Sequence, residues 1–382
     1  MSAAQIEIQL IAALTAAACA IPGTFLVLRR MALISDAISH SVVLGIALGF
    51  LLVQSLNSPL LILGAALVGL LTALLVELLY RTGLVRQDAA IGLVFTVLFS
   101  VGVILISLYA RGVHLDVHAV LLGELAFAPL NRLVVAGRDI GPVALYVSAA
   151  LLAINTVFAA LLYKEQKLAA FDPVLATLLG FSPAVIHYSL MGVIALTAVG
   201  AFEAVGAVLA VALFIVPAAT AYLLADDLAE MLLLSVALGV AAALGGYWLA
   251  SFLDTSIAGS MATVAGLLFA LAWLLAPEQG LLTQRNRRNR QRLALALRAF
   301  LVHLLQQEGR TREEAFPEAH LWRELGWDRT FALRILALAE REQLVDRWQG
   351  GLRLTDQGRI LAREALHGGE EPPRFPKAGG VP

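Results

Sequence analysis

The chain of 382 residues carries one cysteine, three lysines and only 14% charged residues. A single thiol, Cys19, set in an alanine-rich apolar run, rules out an intramolecular disulfide framework and a thiolate metal cluster built within one chain. None of the lysines, Lys164, Lys167 and Lys377, follows a glycine, so the G-x-x-x-x-G-K-[ST] phosphate loop is missing and the polypeptide does not hydrolyse ATP by itself. Neither an H-E-x-x-H pair nor a G-x-S-x-G elbow occurs, and the chain is not expected to be an enzyme.

What is abundant is apolar sequence: 60% of residues are hydrophobic and the mean hydropathy is +0.83, far from the balance of a soluble domain. Segments of about 20 apolar residues, the length a bilayer requires, are predicted near 6-28, 31-53, 58-80, 89-110, 142-163, 185-224, 228-250 and 258-276. The block 185-224 is too long for one span and contains Gly200, Glu203, Gly206 and Pro217, so a break falls there and the number of spans is eight or nine. The N-terminal run lacks a positive leader and reads as the first span rather than a cleaved signal. Charge divides unevenly, with 9 basic against 15 acidic residues up to Leu282 and 18 against 13 after it. The run "QRNRRNRQR", Gln284 to Arg292, follows the last span and places the C-terminus in the cytoplasm. The expected fold is an all-α polytopic membrane protein of about eight transmembrane helices over 1-282, a basic linker 283-290, a small soluble unit 291-367 and a disordered tail 368-382.

Ionisable residues inside apolar spans are costly, roughly 2.5 to 3.5 kcal/mol at a helix centre, and usually face a partner or a pathway. Asp36 and His40, at i and i+4, project from one helical face. Carboxylate and imidazole so placed can share a divalent first-row metal; the same spacing also suits a buried hydrogen-bonded pair that only fixes packing. Glu203, at the break of the long block, is a second candidate ligand. Glu77 and His187, near span ends, read as structural. His114, Asp116 and His118 alternate after the fourth span and would share one face of a strand, or form an ordinary polar loop. Between two later spans, Asp172-Pro173 is an N-cap and N1 pair that opens a short helix, suited to docking a motor subunit or to lying at the interface.

Five stretches in order, "RRMALISDAISHSVVLGIALGF", "RQDAAIGLVFTVLFSVGVIL", "AAFDPVLATLLGFSP", "FEAVGAVLAVALFIVPAATAYLL" and "LDTSIAGSMATVAGLLFALAWLLAPEQGLL", resemble the membrane permease subunits of ABC transporters for manganese, zinc and iron. The resemblance covers roughly residues 10 to 282. It implies a prokaryotic cell-membrane importer of a divalent metal, working as a permease dimer (homo- or heterodimer) with cytoplasmic ATPase subunits and an external metal-binding protein. The family's D-A-x-S-H motif falls on Asp36, Ala37, Ser39 and His40, which makes Asp36 and His40 the implied metal ligands; Glu203 and His118 match no family assignment. The family's ATPase-docking helix falls around Asp172, Pro173, Leu175, Leu178, Leu179 and Gly180. "TSIAGSMA" resembles the branch that often handles manganese. The metal is expected as cargo rather than as a permanent cofactor, and the absence of Cys or Met beside the pair argues against copper(I).

The region after 291 reads as three helices, a Gly-Gly hairpin and a closing helix, resembling the winged-helix domain of metal-responsive repressors of the diphtheria-toxin-repressor type. That resemblance implies DNA or regulatory contact through Arg329, Arg334 and Arg341 on the third helix and Arg353 on the wing; the same fold serves protein contact equally well. Two rival classes stay open from the residues: a membrane-anchored metal-responsive DNA-binding regulator, and a secondary transporter driven by an ion gradient.

Overall fold

The computed structural model describes residues 2–54, 59–109, 125–135, 138–277, 279–308, 316–317, 324–348 and 351–366. It divides into two compact units, Met1–Gly280 and Leu281–Pro382.

The first unit is a helical bundle. Its helices are α1 (Ala3–Leu28), α2 (Leu33–Val53), α3 (Pro59–Arg81) and α4 (Gln87–Tyr109), then α5 (Val143–Leu161), the short α6 (Tyr163–Phe171) and α7 (Pro173–Leu178), and α8 (Pro183–Val205), α9 (Ala207–Leu224), α10 (Leu228–Leu253) and α11 (Ile257–Leu275). A 3-10 turn, Leu125–Leu130, leads into a hairpin of β1 (Arg132–Val135) and β2 (Arg138–Pro142). Among the described residues, nine helices are long and apolar enough to cross a membrane. The long block 185-224 is indeed broken: α8 ends and α9 begins at Gly206, whose φ of 81° is open to glycine and strained for other residues.

α1 is the strut around which the rest is built. It opens with a capping box, Ser2 and Gln5 each bonding the other's backbone. Inside it Pro22 has no N–H to offer the carbonyl four residues earlier, so the Ala18 oxygen is left without its helical donor. The buried Asn155 on α5 donates to that oxygen at 2.8 Å and also bonds Thr197 on α8, so one amide repairs the proline gap and joins three helices. Thr15 bonds Ser148 at 2.8 Å and Ser235 reaches the Ala20 carbonyl at 3.3 Å, adding α5 and α10 to the same strut.

Between α2 and α3 the packing is backbone to backbone. A methyl at Gly45 would overlap the Gly64 carbonyl, and one at Gly49 would sit 3.1 Å from the Leu60 oxygen, so glycines four apart let the two helices approach closely. On the other side of α2, Gly102 of α4 lies against Leu44.

In the second unit, α12 (Leu281–Glu308) begins earlier than expected. Residues 283–290, read as a linker, are its first turns, because a run of Arg, Asn and Gln without Gly or Pro has nothing to stop a helix. Then come β3 (Phe316–Pro317), α13 (Arg329–Arg341), β4 (Val345–Trp348), β5 (Gly351–Leu354) and α14 (Asp356–Leu366). The sheet order is β3-β5-β4, all antiparallel, and its core joins Leu297, Leu301 and Leu304 of α12 to Ile335 and Leu336 of α13 and to Leu352 and Leu354 of β5. Most of the expected second helix and the whole of the tail 368-382 lie outside the described residues.

Candidate functional site

α2 starts after a tight turn in which Arg30 takes a left-handed conformation, and Asp36 and His40 occupy its first two turns. Ser35 and Ser39 turn their hydroxyls back onto the carbonyls of Ala32 and Ser35, so they consume their own polarity within the helix. Asp36 and His40 do not. His40 Nε2 lies 3.5 Å from Asp36 Oδ1, with side chains 35% and 41% exposed respectively, so the two groups converge without locking together and remain open to a third party. The imidazole is fixed from the side: it stacks on Phe95 at 5.5 Å and meets the edge of Phe99 at 5.7 Å, both on α4. The apolar wall holds the ring from the side while the imidazole and the carboxylate both stay partly exposed.

No group of three or more His, Cys, Asp or Glu that could hold a metal occurs among the described residues, so the pair has no third such ligand from its own chain there. Glu203 is exposed in the last turn of α8 and belongs to no such group. His118 lies outside the described residues, as do His114 and Asp116. Glu77 is bound to Arg81 at 2.7 Å, one helical turn on; His187 sets its ring edge-on to Tyr188, and its Nε2 is buried without a hydrogen-bond partner among the described residues.

The short helix α7 forms as its sequence dictates. Asp172 Oδ1 accepts from the Leu175 amide at 2.9 Å, Pro173 occupies the first turn, and Gly180, with φ 87°, ends it. Its Ala176 is buried, whereas Phe171, Val174, Leu178 (78% exposed) and Leu179 stand out together with Leu175. Together these exposed apolar side chains make a patch on a capped helix. This end of the bundle is also the end of α1 that carries Arg29, which donates to Gln166 of α6 at 2.7 Å. At the opposite end of α1, Glu7 pairs with Arg132, which also holds Asp139 across the hairpin. The short helix α7 and the hairpin therefore lie at opposite ends of α1.

On α13 the core face is Ala332, Ile335, Leu336 and Ala339, while Arg329, Arg334 and Arg341 are exposed; Arg334 and Arg341 share the face turned away from that core. Arg353 stands opposite Asp346 in the hairpin, and Glu340 binds Arg347 at 2.6 Å, tying α13 to β4.

Sequence reasoning did not find Asn155 or Gln166. Asn155 is a lone amide in an apolar span, a visible signal; Gln166 lies in a polar run, "YKEQK", where nothing sets it apart.

A bundle of long apolar helices with an ionisable pair in one of them and a short capped helix with exposed apolar side chains at one end is the architecture of a polytopic membrane protein. The chain belongs to the ABC 3 transport family, whose model matches residues 4–276. It is 45% identical over 361 residues to the zinc transport system membrane protein TroD of Treponema pallidum (strain Nichols), covering 94% of this chain and 98% of that one. It is 49% identical over 274 residues to the manganese transport system membrane protein MntD of Bacillus subtilis (strain 168), covering 72% of this chain and 92% of that one. Among solved structures it is similar to PsaBC from Streptococcus pneumoniae in complex with Fab, with a TM-score of 0.63 and 27% identity over 75% of this chain and 96% of that one. The match to TroD is longer than the membrane unit and so extends into the second unit. Family members are membrane subunits of transporters, and the enzyme that hydrolyses ATP is a separate chain. The comparisons lend the DNA-binding regulator reading no support.

Proposed function

We infer that this chain is the membrane permease subunit of an ATP-driven importer for a divalent transition metal ion, manganese first, with zinc or iron as the other candidates. The observation that carries the reading is the Asp36–His40 pair: two ligand groups of intermediate hardness, converging at 3.5 Å and half exposed inside an apolar helix. Its relatives are named for zinc and for manganese transport. A dication takes at least four ligands. One chain offers two here, so a second permease subunit, identical or related, would complete the set. The ion binds as cargo, held by the carboxylate charge and the imidazole lone pair and released when the two subunits part.

An ATPase pair docks on Leu175, Leu178 and Leu179 of α7, beside Asp172, Pro173 and Gly180, and this end faces the cytoplasm, where Arg29, Arg30, Lys164 and Lys167 also gather. The hairpin end then faces outward, toward an extracytoplasmic metal-binding protein. The second unit, with α12, α13, a three-stranded sheet and α14, has the makings of a winged helix on the cytoplasmic side. We read it as a regulatory or protein-contact domain; Arg329, Arg334, Arg341 and Arg353 are the residues through which it would act. Glu203 and His118 are secondary ligand candidates.

The test is uptake of Mn2+, Zn2+ and Fe2+ in cells that make this chain with its ATPase and binding protein, comparing wild type with Asp36→Ala and His40→Ala at equal membrane levels. Collapse of uptake of one metal in both variants is the expected result. Undiminished uptake in both would remove the pair from the path.

A further inference from the structure

We propose that Gln166 is a positioning residue that transmits movement of the docking helix α7 to the Asp36–His40 pair. This rests on the reading of the chain as an ATP-driven permease. Gln166 is fully buried, while Lys164 and Lys167 around it are exposed. Its Oε1 accepts from Arg29 Nη2 at 2.7 Å, and its Nε2 donates to the Ile186 carbonyl at 3.3 Å. These two bonds close a triangle. Gln166 belongs to α6, immediately before the docking helix; Ile186 belongs to the first turn of α8, immediately after it; Arg29 caps α1. One amide thus clamps both flanks of the docking helix to the end of the central strut.

The connection onward is short and stiff. After Arg29, the left-handed Arg30 and the Met31 amide, bonded to the Leu26 carbonyl at 2.9 Å, turn the chain directly into α2. Asp36 follows Arg29 by seven residues and His40 by eleven. A displacement of the docking helix pulls Gln166, Gln166 pulls Arg29, and the first two turns of α2, where the ligand pair sits, move with it. Among the described residues, Arg29 Nε is buried without a hydrogen bond, so the partly buried guanidinium depends on Gln166 for a bond whose loss is costly. Coupling energies between sites typically correspond to 5- to 150-fold effects, and a clamp of this kind falls in that range.

The experiment uses the full chain reconstituted in vesicles with its ATPase and binding protein, reading Mn2+ delivered per ATP hydrolysed for wild type, Gln166→Leu, Gln166→Glu and Asp36→Ala. Leucine fills the space and breaks both bonds; the expected result is a fall of about tenfold in metal per ATP with ATP hydrolysis retained. Glutamate keeps an acceptor for Arg29 but loses the donor to the Ile186 carbonyl, so it is expected to restore the ratio only in part, to a value between those of Gln166→Leu and wild type. A residue that merely supported folding would lower hydrolysis and transport together and leave their ratio unchanged, and that outcome overturns the proposal. If Gln166→Leu does not assemble, Gln166→Asn, whose amide is withdrawn by one methylene, takes its place with the same readout. Wild-type vesicles that move no metal would instead refute the functional reading itself, and an Asp36→Ala variant that transports normally would refute the site.

Discussion

Replacing Gly45 by alanine tests the backbone-to-backbone packing of α2 on α3. The added methyl would stand 2.7 Å from the Ala65 amide nitrogen and closer still to the Gly64 carbonyl, against ordinary contact at 3.4 Å or more. Both obstacles are backbone atoms and cannot rotate away. With the Gly64 oxygen only 2.4 Å away, the helices must therefore part by about 1 Å to restore ordinary contact, and overpacking of this sort costs about 1 to 3 kcal/mol. Gly192 of α8 is the control, since a methyl there meets nothing within 4 Å and gains up to about 1 kcal/mol of helix propensity. The two substitutions are chemically identical and should have opposite signs: Gly45→Ala destabilises, Gly192→Ala is neutral or stabilising. The assay is unfolding of the purified chain in mixed micelles, followed by loss of helical circular dichroism, with metal uptake measured alongside. Because Gly45 lies five residues beyond His40 on the same helix, the uptake of Gly45→Ala should fall as well. Equal stability of the two variants would refute the close approach.

Asn155→Leu deprives the Ala18 carbonyl of its donor at the Pro22 gap and is expected to destabilise the bundle by about 0.6 to 1.7 kcal/mol, read in the same micelle titration; a neutral result would mean that water or a shifted helix supplies the donor. In the second unit, the Asp328 carboxyl is held below its ordinary value by bonds from the Thr330 hydroxyl and amide. A depressed carboxylate stabilises above its unfolded pKa and stops doing so as pH falls through its folded value. Asp328→Ala should accordingly speed amide exchange in the first turn of α13 near neutrality, and the difference from wild type should vanish in acid. Truncation after residue 282 should leave metal uptake in place, because the alignment to MntD spans 92% of that protein with only 274 residues; loss of uptake in a truncated chain that still reaches the membrane would make the second unit part of the transport machinery.

Much of the bundle was legible because hydrophobic length is a local property. The spans, the break at Gly206 and the capped start of α7 at Asp172 each follow from a few adjacent residues. The closeness of Asp36 and His40 was legible for the same reason, because i and i+4 on one helix place them on one face. Residues 283–290 were misread as a linker because polarity without periodicity says nothing about helix when the helix is a continuation of a packed one. Gln166 was invisible since its importance lies in Arg29 and Ile186, distant in sequence by 137 and 20 residues. The aromatic wall of Phe95 and Phe99 around His40 likewise depends on α4 meeting α2, which no local pattern encodes.

The central position of α1 has a consequence for biogenesis. It leaves the ribosome ahead of α5 and α10, so its polar partners come late: Thr15 waits 133 residues for Ser148, Ala18 waits 137 for Asn155, and Ala20 waits 215 for Ser235. At roughly 5 to 20 residues per second, the last of these arrives on the order of 10 to 40 s after its mate. During that interval the proline gap and the threonine of α1 must be sheltered by the insertion machinery or by transient neighbours. The helix that organises the finished bundle thus waits long for its partners, and substitutions along it should lower yield during synthesis more than they weaken the mature protein.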